Sequence, residues 1–258
     1  MALRIGVAGI AGRMGRLIAE EVAAAGAILA GGTLRPGSVT RGAAAPIFAD
    51  AAALFAASDV VIDFSHAGAA AGHAAAAAQA GRAYVLGTSG LSAEDEEAVI
   101  QAAERVPVVY AANFAPGVNL VLAIAERMAA ALPAEQYDAE VLEMHHRQKV
   151  DAPSGTALAL GRAVARGRRT TLEAAGTESG RDGHFGARRT GAVGFAALRG
   201  GQVVGEHTLL FAGASEHIAL THRSFDRRVY ATGAVRAALW LHGRPPGLYD
   251  MKHVLGIA

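Results

Sequence analysis

A chain of 258 residues, 52% hydrophobic and 18% charged, can bury a sizeable core, which excludes a disordered polymer and allows one large domain or two modest ones. Its 24 basic and 23 acidic residues leave a formal charge of +1, too little for a broad electrostatic footprint, so neither nucleic acid nor an anionic membrane is expected as a partner. The absence of cysteine excludes disulfides, thiolate metal sites, iron–sulfur clusters and cysteine nucleophiles.

The opening Met1-Ala2-Leu3-Arg4-Ile5 moves straight into a strand pattern with no secretory signal, so a cytoplasmic protein is expected. Residues 3–8 read as a buried strand, followed by the glycine turn Gly9-Ile10-Ala11-Gly12-Arg13-Met14-Gly15 and a helix carrying Leu17, Ile18 and Val22 toward Gly26. Further strands fall at 28–33, 60–64 and 83–86, with an alanine-rich helix ending near Gly81 between the last two. Ser92 caps the next helix, and Glu94 and Asp95 in its first turn suit the helix dipole. That helix stops before Pro107, and residues 108–111 give another strand. Strands alternating with helices predict an open parallel sheet covered on both faces, a Rossmann-like α/β domain over residues 1–112. The alanine-rich stretches are all interrupted by Gly, His or charge well short of the ~20 residues that span a bilayer.

After Ala112 the rhythm changes. A long helix over 118–132, a strand over 139–144 and a helix over 156–166, entered through Pro153-Ser154-Gly155, precede a polar, glycine-rich stretch at 168–190 that reads as a long loop. Strands at 192–198 and 202–211 flank Arg199-Gly200-Gly201, and 218–221 adds another. Residues 113–227 are therefore expected to form an α+β domain with a mainly antiparallel sheet and helices on one face. Its long strands, with little edge protection, call for a partner subunit. The final segment, 228–258, carries a helix at 233–241 that is expected to return to the first domain.

The glycine turn sits between the first strand and the first helix, where backbone N–H groups can approach a pyrophosphate at the positive helix end. Its spacing, Gly9, Gly12, Gly15, differs from the usual G-x-G-x-x-G, so position carries more weight than spelling. The acidic residue that would bind the NAD ribose after the second strand is replaced by Leu34 and Arg35, and Arg35 with Arg13 can instead take the 2′-phosphate of NADP. Gly87-Thr88-Ser89-Gly90 and Ala112-Asn113-Phe114-Ala115 follow the fourth and fifth strands, at the sheet edge where α/β proteins bind ligands.

The densest polar segment is Glu143-Met144-His145-His146-Arg147-Gln148-Lys149-Val150-Asp151-Ala152-Pro153-Ser154-Gly155-Thr156. A zinc site is one reading, but adjacent side chains on an extended chain point apart and no H-E-x-x-H or cysteine partner exists, so no metal is expected. A solvated loop is a second. A small dianion site is the third: Lys149 and Arg147 supply charge, the N–H groups of Gly155 and Thr156 at a helix start can hold a carboxylate, and a histidine titrating near pH 6.5 can move a proton. Only Lys149 and Lys252 among the 24 basic residues are lysine, so a lysine in this cluster suggests that its compact ammonium matters.

Taken together, V-A-G-I-A-G-R-M-G-R, G-T-S-G, A-N-F-A, E-M-H-H-R-Q-K-V-D-A-P-S-G-T-A and R-G-G-Q-V-V-G-E-H-T resemble the 4-hydroxy-tetrahydrodipicolinate (dihydrodipicolinate) reductase family nearly end to end. The resemblance implies a dinucleotide-binding first domain, a second domain that binds a small cyclic dicarboxylate and forms a homotetramer, and NAD(P)H-dependent reduction in diaminopimelate and lysine biosynthesis. By motif it implies cofactor contacts from Gly9, Ile10, Ala11, Gly12, Arg13, Met14, Gly87, Thr88, Ser89, Ala112, Asn113, Phe114 and Ala115. It makes His145 the proton donor/acceptor and Lys149 a second proton donor, with His146, Gly155 and Thr156 touching substrate. Leu34 stands where the family often has an acidic residue, and Arg35 is expected to favour NADPH over NADH while both work. A different nicotinamide enzyme of the same architecture, or a nucleotide-binding protein without catalysis, are the competing readings.

Overall fold

The computed structural model describes residues 2–35, 37 and 45–257; Met1 and Ala258, at the ends of the expected domains, lie outside the described residues. In chain order, β1 (Arg4–Ala8), α1 (Arg13–Ala24), β2 (Ile28–Gly32), α2 (Ala51–Ala57), β3 (Val60–Asp63), α3 (Ala70–Ala80), β4 (Ala83–Leu86), α4 (Ala93–Ala103) and β5 (Pro107–Tyr110) lead into α5 (Pro116–Ala131). Then come β6 (Asp138–His145), α6 (Gly155–Gly167), α7 (Leu172–Ala175), β7 (Thr177–Ser179), β8 (Val193–Arg199), β9 (Gly205–Ala212) and β10 (His217–Ser224). The chain ends with α8 (Arg228–Leu241), β11 (Gly247–Tyr249) and α9 (Met251–Leu255). It divides into two compact units, Met1–Pro116 with Arg228–Ala258, and Gly117–Arg227.

In the first unit all strand pairs are parallel, in the order β11-β5-β4-β3-β1-β2. Every residue of β3 and β4 is buried, as a sheet covered on both faces requires. On one face Ile18 and Val22 of α1 pack with Ala231, Val235, Ala238 and Leu241 of α8; on the other lie Leu54 and Phe55 of α2, Ala74 and Ala77 of α3, and Val99 of α4. Arg228 reaches Glu20 at 2.6 Å and Glu21 at 2.8 Å, tying α8 to α1, so the last long helix belongs to this unit. The capping signals act as expected: the Ser92 hydroxyl accepts from Asp95 N–H while Asp95 accepts from Ser92 N–H, both at 3.1 Å. The sequence reading missed α2, whose start is set by Asp50 Oδ1 accepting from Ala53 N–H at 2.8 Å, and the edge strand β11.

The second unit has the sheet order β10-β9-β6-β8-β7. The expected antiparallel pairing holds for β10, β9 and β6, whereas β6, β8 and β7 run parallel, so the sheet is mixed. Strands β8 and β9, adjacent in sequence around Arg199-Gly200-Gly201, are not paired with each other; β6 lies between them, with Val141 opposite Phe195 on one side and Leu209 on the other. Ala125 and Ala129 of α5 and Leu160 and Val164 of α6 cover one face. On the opposite face Leu142 is 45% and Leu198 50% exposed. Residues 168–190 are not the single loop the sequence suggested. Thr171 caps the four-residue α7, and β7 pairs with β8, its neighbourhood strapped by Arg181 to Glu140 and Glu178. Elements this short lack periodicity and are set by tertiary partners.

Candidate active site

The strand order of the first unit reverses direction between β1 and β3, and at such switch points an α/β sheet opens a crevice beyond its strand C-termini. A cleft of about 590 Å³ lies there, lined by Gly9, Ala11 and Gly12 from the glycine turn, Thr33, Leu34 and Arg35 after β2, and residues after β3. Gly9 adopts φ +69°, the left-handed region that favours glycine, and this turns the chain from β1 into α1. A Cβ on Gly15 would strike the Gly9 carbonyl and stand 2.7 Å from Ile10 Cα, so only glycine lets the helix start come this close to the turn. Gly12 caps α1 without a side-chain hydrogen bond, which leaves first-turn N–H groups available to an anion.

The other sequence-predicted cofactor residues are distributed unevenly. Ile10 and Met14 turn their side chains into the core, so backbone is what they can offer a ligand; Arg13 is exposed. Gly87, Thr88 and Ser89 follow β4, and Thr88 Oγ1 is buried without a hydrogen-bond partner among the described residues. Ala112 is exposed beyond β5, Asn113 Oδ1 accepts from Ala115 N–H at 2.8 Å, and Phe114 is buried edge-on against Phe64, centroids 5.3 Å apart. The Phe114 side chain is therefore core. Neither tetrad lines the cleft itself.

Sequence reasoning missed the β3 end of the cleft. Phe64, Ser65, His66 and His73 line it, above a buried Asp63 that accepts from Ser65 N–H and Tyr84 OH at 2.8 Å and lies 2.6 Å from His73 Nδ1. Burial alone would raise the Asp63 carboxyl, but these partners hold it below the usual carboxylate range. The signal was present in Asp63-Phe64-Ser65-His66, which also follows a parallel strand at the ligand edge. Asp50, beside Leu34 and Arg35 in the cleft, was hidden as a helix cap.

In the second unit one sheet face changes character along its length. On β6 the inward residues are Ala139, Val141, Glu143 and His145, and on β9 they are Phe211, Leu209, His207 and Gly205. Apolar core at one end gives way to ionisable side chains at the other. Glu143, 1% exposed, lies with Oε2 2.6 Å from His145 Nδ1, and its two oxygens accept from Arg199 at 2.7 and 2.8 Å. Despite burial, Arg199 and His145 hold the Glu143 carboxyl low. Burial lowers His145 below its ordinary value, opposed by Glu143. The His207 ring meets His145 edge-on at 5.0 Å, and Nε2 lies 3.1 Å from Ser154 Oγ.

Ser154 caps α6 by accepting from Ala157 N–H, so Gly155 and Thr156 form the helix's first turn, as the sequence placed them. Lys149 Nζ donates to both oxygens of Asp151 at 2.8 and 2.9 Å. His146 Nδ1 is buried with no partner among the described residues. His145, His146, Lys149, Gly155 and Thr156 are thus carried by the end of β6, the turn after it and the start of α6, while Glu143, Arg199, His207 and Ser154 were not given roles from sequence. Arg199 and His207 were present in the R-G-G-Q-V-V-G-E-H-T motif, but strand pairing across β6 is needed to see them meet. No group of three or more His, Asp or Glu able to hold a metal ion occurs among the described residues.

A parallel sheet with a glycine turn at its switch point, carried in one chain with a mixed-sheet unit that buries a histidine–carboxylate pair beside a helix start, defines a Rossmann-type oxidoreductase. Family models described as dihydrodipicolinate reductase, N-terminus and C-terminus, match residues 3–114 and 117–255. The 4-hydroxy-tetrahydrodipicolinate reductase of Granulibacter bethesdensis is 64% identical over 256 residues, covering 99% of this chain and 97% of its own, and that of Gluconacetobacter diazotrophicus is 63% identical over 255 residues, covering 99% and 98%. Among solved structures, a dipicolinate-bound dihydrodipicolinate reductase from Paenisporosarcina sp. TG-14 shares the fold with a TM-score of 0.80 at 23% identity, over 97% of this chain and 98% of that one. The chain belongs to the dihydrodipicolinate reductase family and is an oxidoreductase.

Proposed function

We propose that this chain reduces 4-hydroxy-tetrahydrodipicolinate to tetrahydrodipicolinate, with loss of water, using NADPH or NADH, as a step of diaminopimelate and lysine biosynthesis. The observation that carries the reading is the cluster of His145, Lys149 and the α6 start around the buried Glu143, a proton source and a cation beside a carboxylate-binding helix end. Family membership supplies the substrate.

The cleft fits a dinucleotide: open first-turn N–H groups suit a pyrophosphate, a Cβ at Gly15 would spoil the turn, and the orphaned Thr88 Oγ1 awaits a polar partner. The turn residues Gly9, Ala11 and Gly12 would hold the phosphates, Arg13, Met14 and Ile10 contributing with them, and the backbones after β4 and β5 would meet the nicotinamide half. When bound, the dinucleotide supplies hydride to the conjugated imine left after the ring loses its hydroxyl as water. Everything else falls to side chains and backbone N–H groups of this chain. His146 and the N–H groups of Gly155 and Thr156 hold a ring carboxylate. Negative charge that reaches the ring nitrogen system is met by the Lys149 ammonium, released from Asp151, and by a proton from His145, each worth ~10²-fold in rate. Holding the ring in place supplies a further entropic advantage.

Arg35 at the cleft, with Arg13, favours the extra phosphate of NADPH, and Leu34 neither accepts from a ribose hydroxyl nor repels that phosphate. The protein works in the cytoplasm as a homotetramer, its contact built on the sheet face that exposes Leu142 and Leu198. The deciding experiment supplies the condensation product of pyruvate and aspartate semialdehyde and follows NAD(P)H oxidation against NAD(P)H alone. Substrate-dependent oxidation is expected; equal rates with and without the condensation product would refute the proposal.

A further inference from the structure

Glu143 has no part in the chemistry assigned so far, yet it is the most heavily partnered carboxylate of the second unit's site. It is 1% exposed and engages four donors: His145 Nδ1 at 2.6 Å, two Arg199 nitrogens at 2.7 and 2.8 Å, and the Ser154 N–H at 3.1 Å. Ser154 in turn caps α6. Arg199 also donates to the Asp151 carbonyl at 2.6 Å, fixing the turn whose Asp151 side chain holds Lys149. One buried carboxylate thus touches His145 directly, reaches the α6 start through Ser154, and reaches Lys149 through Arg199 and Asp151. A fastening between strands does not need this; apolar residues of similar volume serve as well or better, because burying an ion pair costs desolvation.

We infer that Glu143, charge-balanced by Arg199, is the positioning residue of this site: it fixes His145 with Nδ1–H on the carboxylate, so that Nε2 is the atom presented to the ring, and it seats the α6 start that binds the ring carboxylate. The assignment rests on His145 being the proton donor. The tautomer follows from the partner, since an ionised carboxylate can only accept and Nδ1 must therefore carry the hydrogen. Nε2 makes no hydrogen bond among the described residues, and Gly205 leaves room beside it: a Cβ there would stand 3.0 Å from Nε2.

The charges around His145 give this arrangement a signature. Burial, Lys149 and Arg199 disfavour the imidazolium, and His207 on β9 is itself held neutral, while Glu143 favours it. Removing the Glu143 charge must make His145 harder to protonate, and removing the Arg199 charge must make it easier. Pure loss of packing would push neither titration in a set direction.

The experiment compares Glu143→Gln, Arg199→Gln and wild type, reading kcat against pH, the His145 titration by NMR in the free protein, and the dissociation constant of NADPH. Gln still accepts from Nδ1–H, so E143Q is expected to fold, to lose ~10-fold or more in kcat at neutral pH, and to move both the His145 titration and the alkaline limb of kcat to lower pH by about one unit. R199Q is expected to move both to higher pH, and neither variant should change NADPH affinity more than about twofold. A His145 titration that stays put in E143Q, or moves the same way in both variants, overturns the inference. If E143Q fails to fold, R199Q decides alone: a shift to lower pH or none refutes it. A titration that shifts as stated while the kcat limb does not would instead remove His145 as proton donor, which is the failure of the function reading and not of the Glu143 contact.

Discussion

Replacing His207 by asparagine should flatten the acid limb of the protein's stability. The ordinary histidine value is 6.5, and burial, reinforced by nearby His145, pushes His207 down to about 4 in the folded protein. A folded value below the unfolded one means that the unfolded chain takes up the proton first. The contribution to stability is therefore undiminished above pH 6.5 and is lost as the pH falls through 6.5 toward 4. At pH 5 the unfolded form is favoured by a factor of about 30 from this group alone, or about 2 kcal/mol, a large share of the margin of an ordinary domain. Urea unfolding of ligand-free protein at pH 7.5 and pH 5, followed by circular dichroism, measures it; the single tryptophan, Trp240, lies in the other unit and would not report β9. His145 and His222 also sit below their ordinary values, but they remain in both proteins and largely cancel in the comparison. Wild type should lose about 2 kcal/mol more than H207N between the two pH values. Equal losses would refute the claim that His207 is buried neutral.

Lys149→Ala and His145→Ala should each lower kcat by at least ~10²-fold with NADPH affinity near wild type, and Lys149→Arg should also turn over poorly, because guanidinium does not release a proton near neutral pH; steady-state kinetics with cofactor titration checks all three. Arg35→Ala should remove most of an NADPH advantage on the order of 10-fold while leaving NADH binding little changed, read by titrating both cofactors into wild type and variant. Light scattering at micromolar concentration should give the mass of four chains, and a monodisperse monomer would remove the subunit contact from the exposed sheet face.

The first unit was legible because its signals are local. Strand, glycine turn and helix follow one another without interruption, Ser92 and Gly81 mark helix ends, β4 reads as an unbroken apolar run, and β3 reads as one up to Asp63 at its end. Where structure depends on distant partners, the sequence was silent: β11 exists because it pairs with β5, and β7 because it pairs with β8. The mixed character of the second sheet was hidden for the same reason, since the turn Arg199-Gly200-Gly201 looks like a hairpin until β6 is found between its arms. The site followed this division. His145, His146 and Lys149 stood out by proximity in sequence, whereas Glu143 looked like an ordinary strand residue, and its partner Arg199 lies 56 positions away.

The inward row of β6 ties heredity of fold to heredity of chemistry. Because side chains alternate along a strand, a slip of one position would turn Glu143 and His145 outward and bring Leu142 and Met144 in. That exchange gains apolar surface for the interior while breaking the contacts among Glu143, His145, Arg199 and His207. Composition near the site thus favours the wrong alignment, and the right one is enforced from the far end, where Ala139 and Val141 seat against Phe211, Leu209 and Phe195. A one-residue insertion between Val141 and Glu143 would leave that anchor in register while turning Glu143 and His145 away from Arg199 and His207. The length of strand between anchor and cluster is thus as much a part of the arrangement as Glu143 and His145 themselves.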